Sequence, residues 1–132
     1  MRKRIIILAI VIMALMIQVI PAFASQENIG GSLNRDGSLV QYWTLRTHTY
    51  TGVIRLNLTD NTINYTRLGL RDPNTGVQFT NTEQWDALGW KDFHLSSNGS
   101  STIPQGTRFY FNGRMGACYF WQDNTWAGTL TY

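Results

Sequence analysis

In the segment Val53–Thr59, with the sequence VIRLNLT, apolar and polar side chains alternate from Ile54 onward. Successive side chains of a β-strand point to opposite faces, so a repeat of two residues predicts a strand with one buried face. Thr107–Met115 shows the same alternation, with Phe109, Phe111 and Met115 on one side.

From Ser38 onward, β-branched and aromatic residues dominate, and turn signals recur about every ten residues. This spacing is typical of short antiparallel strands joined by tight turns. It predicts an all-β fold, an antiparallel β-sandwich of the jelly-roll or immunoglobulin-like kind, with about seven or eight short strands. Residues 38–132 are expected to form this single domain.

Local signals predict one hairpin and one helix. Asp60-Asn61 is suited to a two-residue turn that places Leu58 opposite Ile63. The apolar positions then shift from odd to even numbers, which a bulge near Thr66 or Arg67 would explain. The segment Asn81–Gly89 carries a capping residue at its start and a glycine at its end, so it is predicted to be a short helix.

The first 24 residues have the pattern of a cleaved signal peptide. A basic start is followed by a stretch free of charge over Ile5–Ile20 and by the small-residue site Pro21–Ala24. We therefore expect a secreted, extracellular protein that begins at Ser25. Residues 25–37, rich in Gly, Ser and Asn, are expected to be a flexible leader.

Removing that segment also removes the excess of positive charge. Three of the 11 basic residues lie within it, which leaves eight basic residues against eight acidic ones. A chain with balanced charge has no broad field that attracts phosphate backbones, so nucleic acid is not an expected partner. Cys118 is the only cysteine, so no internal disulfide forms, and a cysteine-poor exported chain suggests a bacterial source.

Aromatic residues are concentrated at the end of the chain, in ACYFWQDNTWAGTLTY over residues 117–132. A hairpin is expected around Asp123-Asn124. With a two-residue turn, Trp121 faces Trp126; with a three-residue loop, Tyr119 and Trp121 lie on the opposite face. Under either register, two or three of these rings are expected to remain outside the core.

Exposed aromatic rings next to amide and charged side chains favour carbohydrate binding. Sugar rings pack their C–H faces on indole and phenol rings, while polar neighbours hydrogen-bond the hydroxyl groups. We expect a non-enzymatic, monomeric binding module for a glycan or cell-wall polymer. The candidate ligand-binding residues are Tyr110, Asn112, Arg114, Tyr119, Trp121, Asp123 and Trp126.

Signals for metal binding and catalysis are weak. Asp72 and Asn74 offer oxygen ligands for Ca²⁺, although Asx turns account for the same residues, so no cofactor is expected. Glu83 and Asp86 would share one face of the predicted helix, which is usually a solvated face. No serine lies in a nucleophile-type turn, and an enzyme is not the favoured interpretation.

Two other functions fit the same sequence. A secreted, membrane-active toxin or bacteriocin-like β-protein would insert hairpins with an apolar outer face, which only the terminal hairpin approaches. A structural coat or matrix protein would associate through the edges of its sheets. Partition into lipid supports the first alternative, and concentration-dependent assembly supports the second.

Overall fold

The computed structural model of the protein describes residues 24–63, 65–116 and 121–132. These residues form nine β-strands and no helix, and therefore none long and apolar enough to cross a membrane. The strands are β1 (Gln26–Leu33), β2 (Val40–Gln41), β3 (Arg46–Thr47), β4 (Arg55–Asn61), β5 (Thr66–Arg71), β6 (Glu83–Trp85), β7 (Gly89–Asp92), β8 (Arg108–Met115) and β9 (Asn124–Thr131).

The strands form two antiparallel sheets, which confirms the predicted β-sandwich. The first sheet has the order β1-β9-β4-β7. The second sheet has the order β2-β8-β5-β6, and β3 also pairs with β8. The two central strands of the second sheet, β8 and β5, are paired over six positions, so their outward side chains form a continuous surface.

The core lies between the sheets and follows the alternation in the sequence. In β4, Leu56 and Leu58 are buried while Arg55 and Thr59 are exposed, which confirms the pattern predicted there. In β8, the three apolar residues expected on one side are buried. The core also contains Leu33, Ile54, Leu68, Leu70, Trp85, Phe93, Ile103, Trp126 and Leu130.

The segment expected to be a flexible leader is instead strand β1, so that prediction was wrong. Gln26–Leu33 pairs with β9 along its whole length. An edge strand gains stability from backbone hydrogen bonds and needs few apolar residues, so its hydrophobic pattern is weak. Glycine suits position 31 because a Cβ atom there would collide with the ring of Tyr42.

The predicted hairpin between β4 and β5 does not form, because these strands belong to different sheets. β4 continues to Asn61 beside β9, and the chain reaches the second sheet at Tyr65, whose φ is 76°. This left-handed conformation is uncommon outside glycine. The shift in apolar positions thus reflects a change of sheet, and the bulge lies earlier, between Leu58 and Asp60.

The predicted helix over Asn81–Gly89 is also wrong. Glu83–Trp85 forms β6 beside β5, and Gly89 already belongs to β7 beside β4. The indole of Trp85 is buried and donates to the carbonyl oxygen of Gly89 at 3.0 Å. A helix of two turns has little stability of its own, so burial of this indole and strand pairing determine the structure.

The predicted terminal hairpin pairs β9 with residues 117–121, whereas in the structure β9 is paired with β1 on one edge and with β4 on the other. Tyr119 and the rest of 117–120 lie outside the described residues. A pattern of alternating residues predicts a strand but does not identify its partner.

All nine strands and all the core residues of the described part lie within residues 25–132. Ser25 and Tyr132 also pair with each other, through two backbone hydrogen bonds of 2.6 and 2.9 Å. The strands and core that the structure describes are thus contained in residues 25–132, and we expect this segment to fold by itself.

Candidate functional site

The outer surface of the second sheet, called here the second face, brings three of the predicted ligand-binding residues together. Tyr110, Asn112 and Arg114 occupy alternate positions of β8 and so project from the same side, although Asn112 is itself buried there, at 5% exposure. Opposite them in β5, Arg71 pairs with Tyr110 and Arg67 pairs with Arg114.

At one end of the second face, three side chains form a stacked platform. The guanidinium carbon Cζ of Arg71 lies 4.4 Å from the ring centroid of Trp43 and 4.6 Å from that of Tyr110. The two ring centroids are 5.7 Å apart, with an interplanar angle of 62°. Cation–π contacts of this kind hold both rings against a fixed positive charge.

Arg71 is the fixed part of this platform and Trp43 its accessible part. Arg71 is only 2% exposed, and its Nη2 donates to the carbonyl oxygen of Tyr42 at 2.9 Å. Trp43 is 69% exposed, so most of its indole remains open to solvent. A rigid support beneath an open aromatic ring is the arrangement that suits stacking of a flat ligand surface.

A row of amides lies beside the platform. Asn112 pairs with Gln41 on one side and with Gly69 on the other. The side chain of Gln78 lies over Gly69, where a Cβ atom would come within 2.5 Å of its amide carbon. Asn112 Nδ2 donates to Gln78 Oε1 at 3.5 Å, so this glycine allows two amides to meet across the sheet.

At the other end of the second face, two arginines lie directly opposite each other. Arg67 and Arg114, called here the arginine pair, line an open hollow together with Thr82 and Gln84. Arg67 Nε donates to Gln84 Oε1 at 2.5 Å, and Gln84 in turn donates to Asp86. Within the described residues, neither arginine forms an ion pair with a carboxylate.

The second face therefore carries a concentration of positive charge in a chain whose charges balance overall. It holds four of the eight basic residues of 25–132, namely Arg67, Arg71, Arg108 and Arg114. Hydrogen bonds from the backbone of Thr75 and Asn74 lower the pKa of the Asp72 carboxyl, and the nearby charge of Arg108 lowers it further. Charge segregation of this kind is not visible in the net charge.

The outer surface of the first sheet, called here the first face, is largely neutral. One row across its four strands consists of Asn28, Thr129, Asn57 and Trp90. Trp90 is 51% exposed and its ring contacts Arg55, but Arg55 is paired with Asp92 at 2.9 Å. The exposed tryptophan of this face thus lies beside an arginine whose charge is paired.

Of the other predicted site residues, Tyr119 lies outside the described residues, and the remaining three precede or belong to β9. Trp126 is 4% exposed, donates to the Tyr42 hydroxyl and packs on Phe111, so the expectation that it presents a ring to a ligand is wrong. Asp123 precedes β9 and accepts a hydrogen bond from the backbone of Arg35. Trp121 is 71% exposed in the same segment before β9.

Asp72 and Asn74, the candidate calcium ligands, belong to a turn that uses the carboxylate itself. Asp72 Oδ1 accepts hydrogen bonds from the backbone of Asn74 at 2.7 Å and of Thr75 at 3.0 Å. This is an Asx turn, in which the acceptor is already engaged. In residues 24–63, 65–116 and 121–132, no three His, Cys, Asp or Glu side chains are grouped as metal ligands.

The carboxylates considered for catalysis do not form a pair. Glu83 is 2.9 Å from Nδ1 of His94, while Asp86 accepts from Gln84. The two carboxyl groups therefore have separate partners. Because the predicted helix is replaced by strand β6, they do not share a helix face. The geometry gives no reason to assign them acid and base roles in glycoside hydrolysis.

Sequence reasoning left Arg67 and Arg71 out of the predicted site. The sequence feature that could have identified them is the segment TRLGLR, in which Arg67, Gly69 and Arg71 alternate with the inward-facing Leu68 and Leu70. The alternation places both arginines on the outer surface. What the sequence does not show is that this surface is shared with β8.

Comparisons with known proteins do not assign a family to this chain. No protein-family model, curated protein or solved structure matches it. The class of protein defined here is therefore a β-sandwich with an aromatic and arginine-rich outer face.

Proposed function

We propose that this protein is a secreted, non-enzymatic binding module for a carbohydrate or cell-envelope polymer, and that the second face carries the binding. The observation that supports this most is the platform of Trp43, Arg71 and Tyr110. Its exposed indole is backed by a nearly buried guanidinium. Sugar rings stack on such a ring, and the neighbouring amides offer hydrogen bonds to hydroxyl groups.

The proposed site uses different aromatic residues from those expected at the end of the chain. The rings at the end of the chain are close in sequence, but Trp126 belongs to the core. Trp43 comes from the segment between β2 and β3 and meets Tyr110 of β8 through folding. Arg114, which is exposed, remains part of the proposed site, whereas Asn112 is buried and contacts Gln78.

Co-sedimentation tests this function. Residues 25–132 are mixed with insoluble polysaccharides, purified bacterial cell walls and liposomes in parallel, and the bound fraction is measured against polymer concentration. We expect binding to a polysaccharide or wall and none to liposomes. Binding to liposomes alone would support the toxin alternative and reject this proposal.

Two tryptophan variants make the test specific. Trp43→Ala removes the exposed ring of the platform, and Trp90→Ala removes an exposed ring of the first face. Loss of a stacking contact of about 1.5 kcal/mol weakens binding about tenfold. We expect this for Trp43→Ala and less than about a twofold change for Trp90→Ala. Equal losses in both variants would show that the second face is not the site.

Export is tested separately. The chain expressed with its first 24 residues should appear in the culture medium with Ser25 as its first residue, measured by intact mass. A protein that keeps the segment Ile5–Ile20 would contradict cleavage at Ala24.

A further inference from the structure

The arginine pair is an unfavourable arrangement in the isolated protein. Arg67 and Arg114 are directly opposite each other in the β5–β8 register. Like charges at directly opposite positions destabilise a sheet. Many polar residues would fit these two outward positions without that cost, so the pair calls for an explanation outside the stability of the fold.

No carboxylate of the described residues forms an ion pair with Arg67 or Arg114. Its hydrogen-bonding neighbour is the amide of Gln84, whose orientation is set by Asp86. Arg67 uses only its Nε in that bond, which leaves its terminal nitrogens available. Arginine presents its donors in a planar fork that matches carboxylate, phosphate and sulfate groups. Thr82 and Gln84 complete the lining of an open hollow between the two guanidinium groups.

The hollow and the platform each include a residue of β8, namely Arg114 and Tyr110. Arg114 follows Tyr110 by four residues along β8, which corresponds to about 13 Å in an extended chain. Asn112 lies between them and projects from the same surface. A ligand that stacks on Trp43 and also reaches the arginine pair is therefore longer than a single sugar residue.

We propose that the ligand of the second face is an anionic polysaccharide, whose acidic groups occupy the hollow at Arg67 and Arg114 while one of its rings stacks on Trp43. This inference rests on the proposed function and adds the chemical class of the ligand. The acidic group is a carboxylate, a sulfate or a phosphate, since all three accept hydrogen bonds from the guanidinium fork.

Single-stranded nucleic acid is the other polymer that combines negative charge with rings. Proteins that bind it stack successive bases on several aromatic side chains along a basic groove. The second face offers one largely exposed ring, Trp43, next to a row of amides. One ring and several amides suit a hydroxyl-rich polymer better than a series of bases.

Matched polymers isolate the acidic group. Binding of residues 25–132 is measured for polygalacturonate against its methyl ester, for dextran sulfate against dextran, and for cell walls with and without their phosphate-containing polymers. The first two pairs keep the backbone and remove the charge, and the third removes the phosphate-containing polymer itself, so the arms distinguish carboxylate, sulfate and phosphate. An oligomer of deoxythymidine is included as the nucleic-acid probe.

The variant Arg67→Gln/Arg114→Gln is compared with Arg55→Gln/Lys91→Gln, which makes the same change in net charge on the first sheet. We expect at least one acidic polymer to bind about tenfold or more tightly than its neutral counterpart. That preference should disappear in the first variant and persist in the second. Because the first variant removes a like-charge contact, its melting temperature should not fall, and this excludes unfolding as the cause of lost binding.

The outcomes separate the two proposals. Equal binding of charged and neutral polymers, lost in Trp43→Ala but unaffected in Arg67→Gln/Arg114→Gln, would overturn this inference and leave the proposed function intact. Equal loss of preference in both double variants would also overturn it, since the effect would then be one of net charge. Preference for the deoxythymidine oligomer would overturn it in favour of nucleic acid, and binding to no polymer would overturn both proposals.

Discussion

The two outer faces of this sandwich are built by the same alternation of residues, yet they differ in charge and in the support of their tryptophans. On the first face, Arg55 is paired with Asp92, and Trp90 lies beside that ion pair. On the second face, Arg67 and Arg114 oppose each other, and Trp43 rests on a buried guanidinium. On the first face an arginine is thus paired with a carboxylate, whereas on the second face two arginines lie opposite each other.

This difference distinguishes outward residues that the fold requires from outward residues that it does not require. The core requires only the inward positions of each strand, and neutral or paired residues at the outward positions are sufficient for a soluble sheet. The first face is closer to that requirement, although Trp90 is half exposed there. The second face departs further from it at the arginine pair and at the platform, which is why we propose binding there.

The largest expected effect tests whether both faces rest on one core. Trp126→Ala removes a ring that packs between the sheets and should lower the free energy of unfolding by about 3–5 kcal/mol. Trp121→Ala removes a ring that is mostly exposed and should change it by less than about 1 kcal/mol. Urea denaturation measures both. Similar losses in the two variants would contradict the assignment of Trp126 to the core.

The next effect compares an arginine from each face. Arg71→Met removes a nearly buried guanidinium that bonds the carbonyl oxygen of Tyr42 and contacts two rings, so we expect a loss of about 2 kcal/mol in unfolding free energy. Arg55→Met breaks an exposed ion pair and should cost about 0.5 kcal/mol or less. A larger loss for Arg55→Met would reverse the comparison.

A pH series separates the stability of the fold from the charge of the second face. Burial lowers the pKa of His48 below its usual value of 6.5, so the unfolded chain binds a proton first as the pH falls. The melting temperature should therefore decrease as the pH falls below about 6.5. His48→Gln should flatten this decrease, whereas Arg67→Gln should leave it unchanged because arginine keeps its proton. An unchanged slope in His48→Gln would show that another group is responsible.

The smallest expected effect is a difference in sign between two changes in the free energy of unfolding, one for an arginine of each face. Arg67→Gln relieves a like-charge contact and should raise the unfolding free energy by about 0.5 kcal/mol. Arg55→Gln removes an ion pair and should lower it by a similar or smaller amount. Thermal denaturation at low ionic strength makes the contrast largest, because salt screens both interactions. Equal signs would mean that the two faces do not differ in charge compensation.

Much of the sandwich was predictable, since the alternation in β4 and β8 determines which side chains are buried. The errors came from pairing. Asp60-Asn61 resembles a hairpin turn, but β4 pairs with β9 and the chain changes sheet at Tyr65. Turn signals are local, whereas the choice of partner strand depends on the packing of both sheets.

The site was predictable in part for the same reason. Tyr110, Asn112 and Arg114 share a face because they alternate on one strand, and the sequence indicates this directly. Trp43 and Arg71 join them only through pairings of β8 with its neighbours, over a sequence separation that no local pattern spans. Aromatic residues that are close in sequence, such as Trp121 and Trp126, differ sharply in exposure.

The most direct test of the central claim follows the indole signals of the five tryptophans by nuclear magnetic resonance during titration with an oligosaccharide of the bound polymer. We predict that the Nε1–H signal of Trp43 shifts with ligand concentration while that of Trp90 stays in place. A shift of Trp90 with an unchanged Trp43 would place binding on the first face and contradict the account.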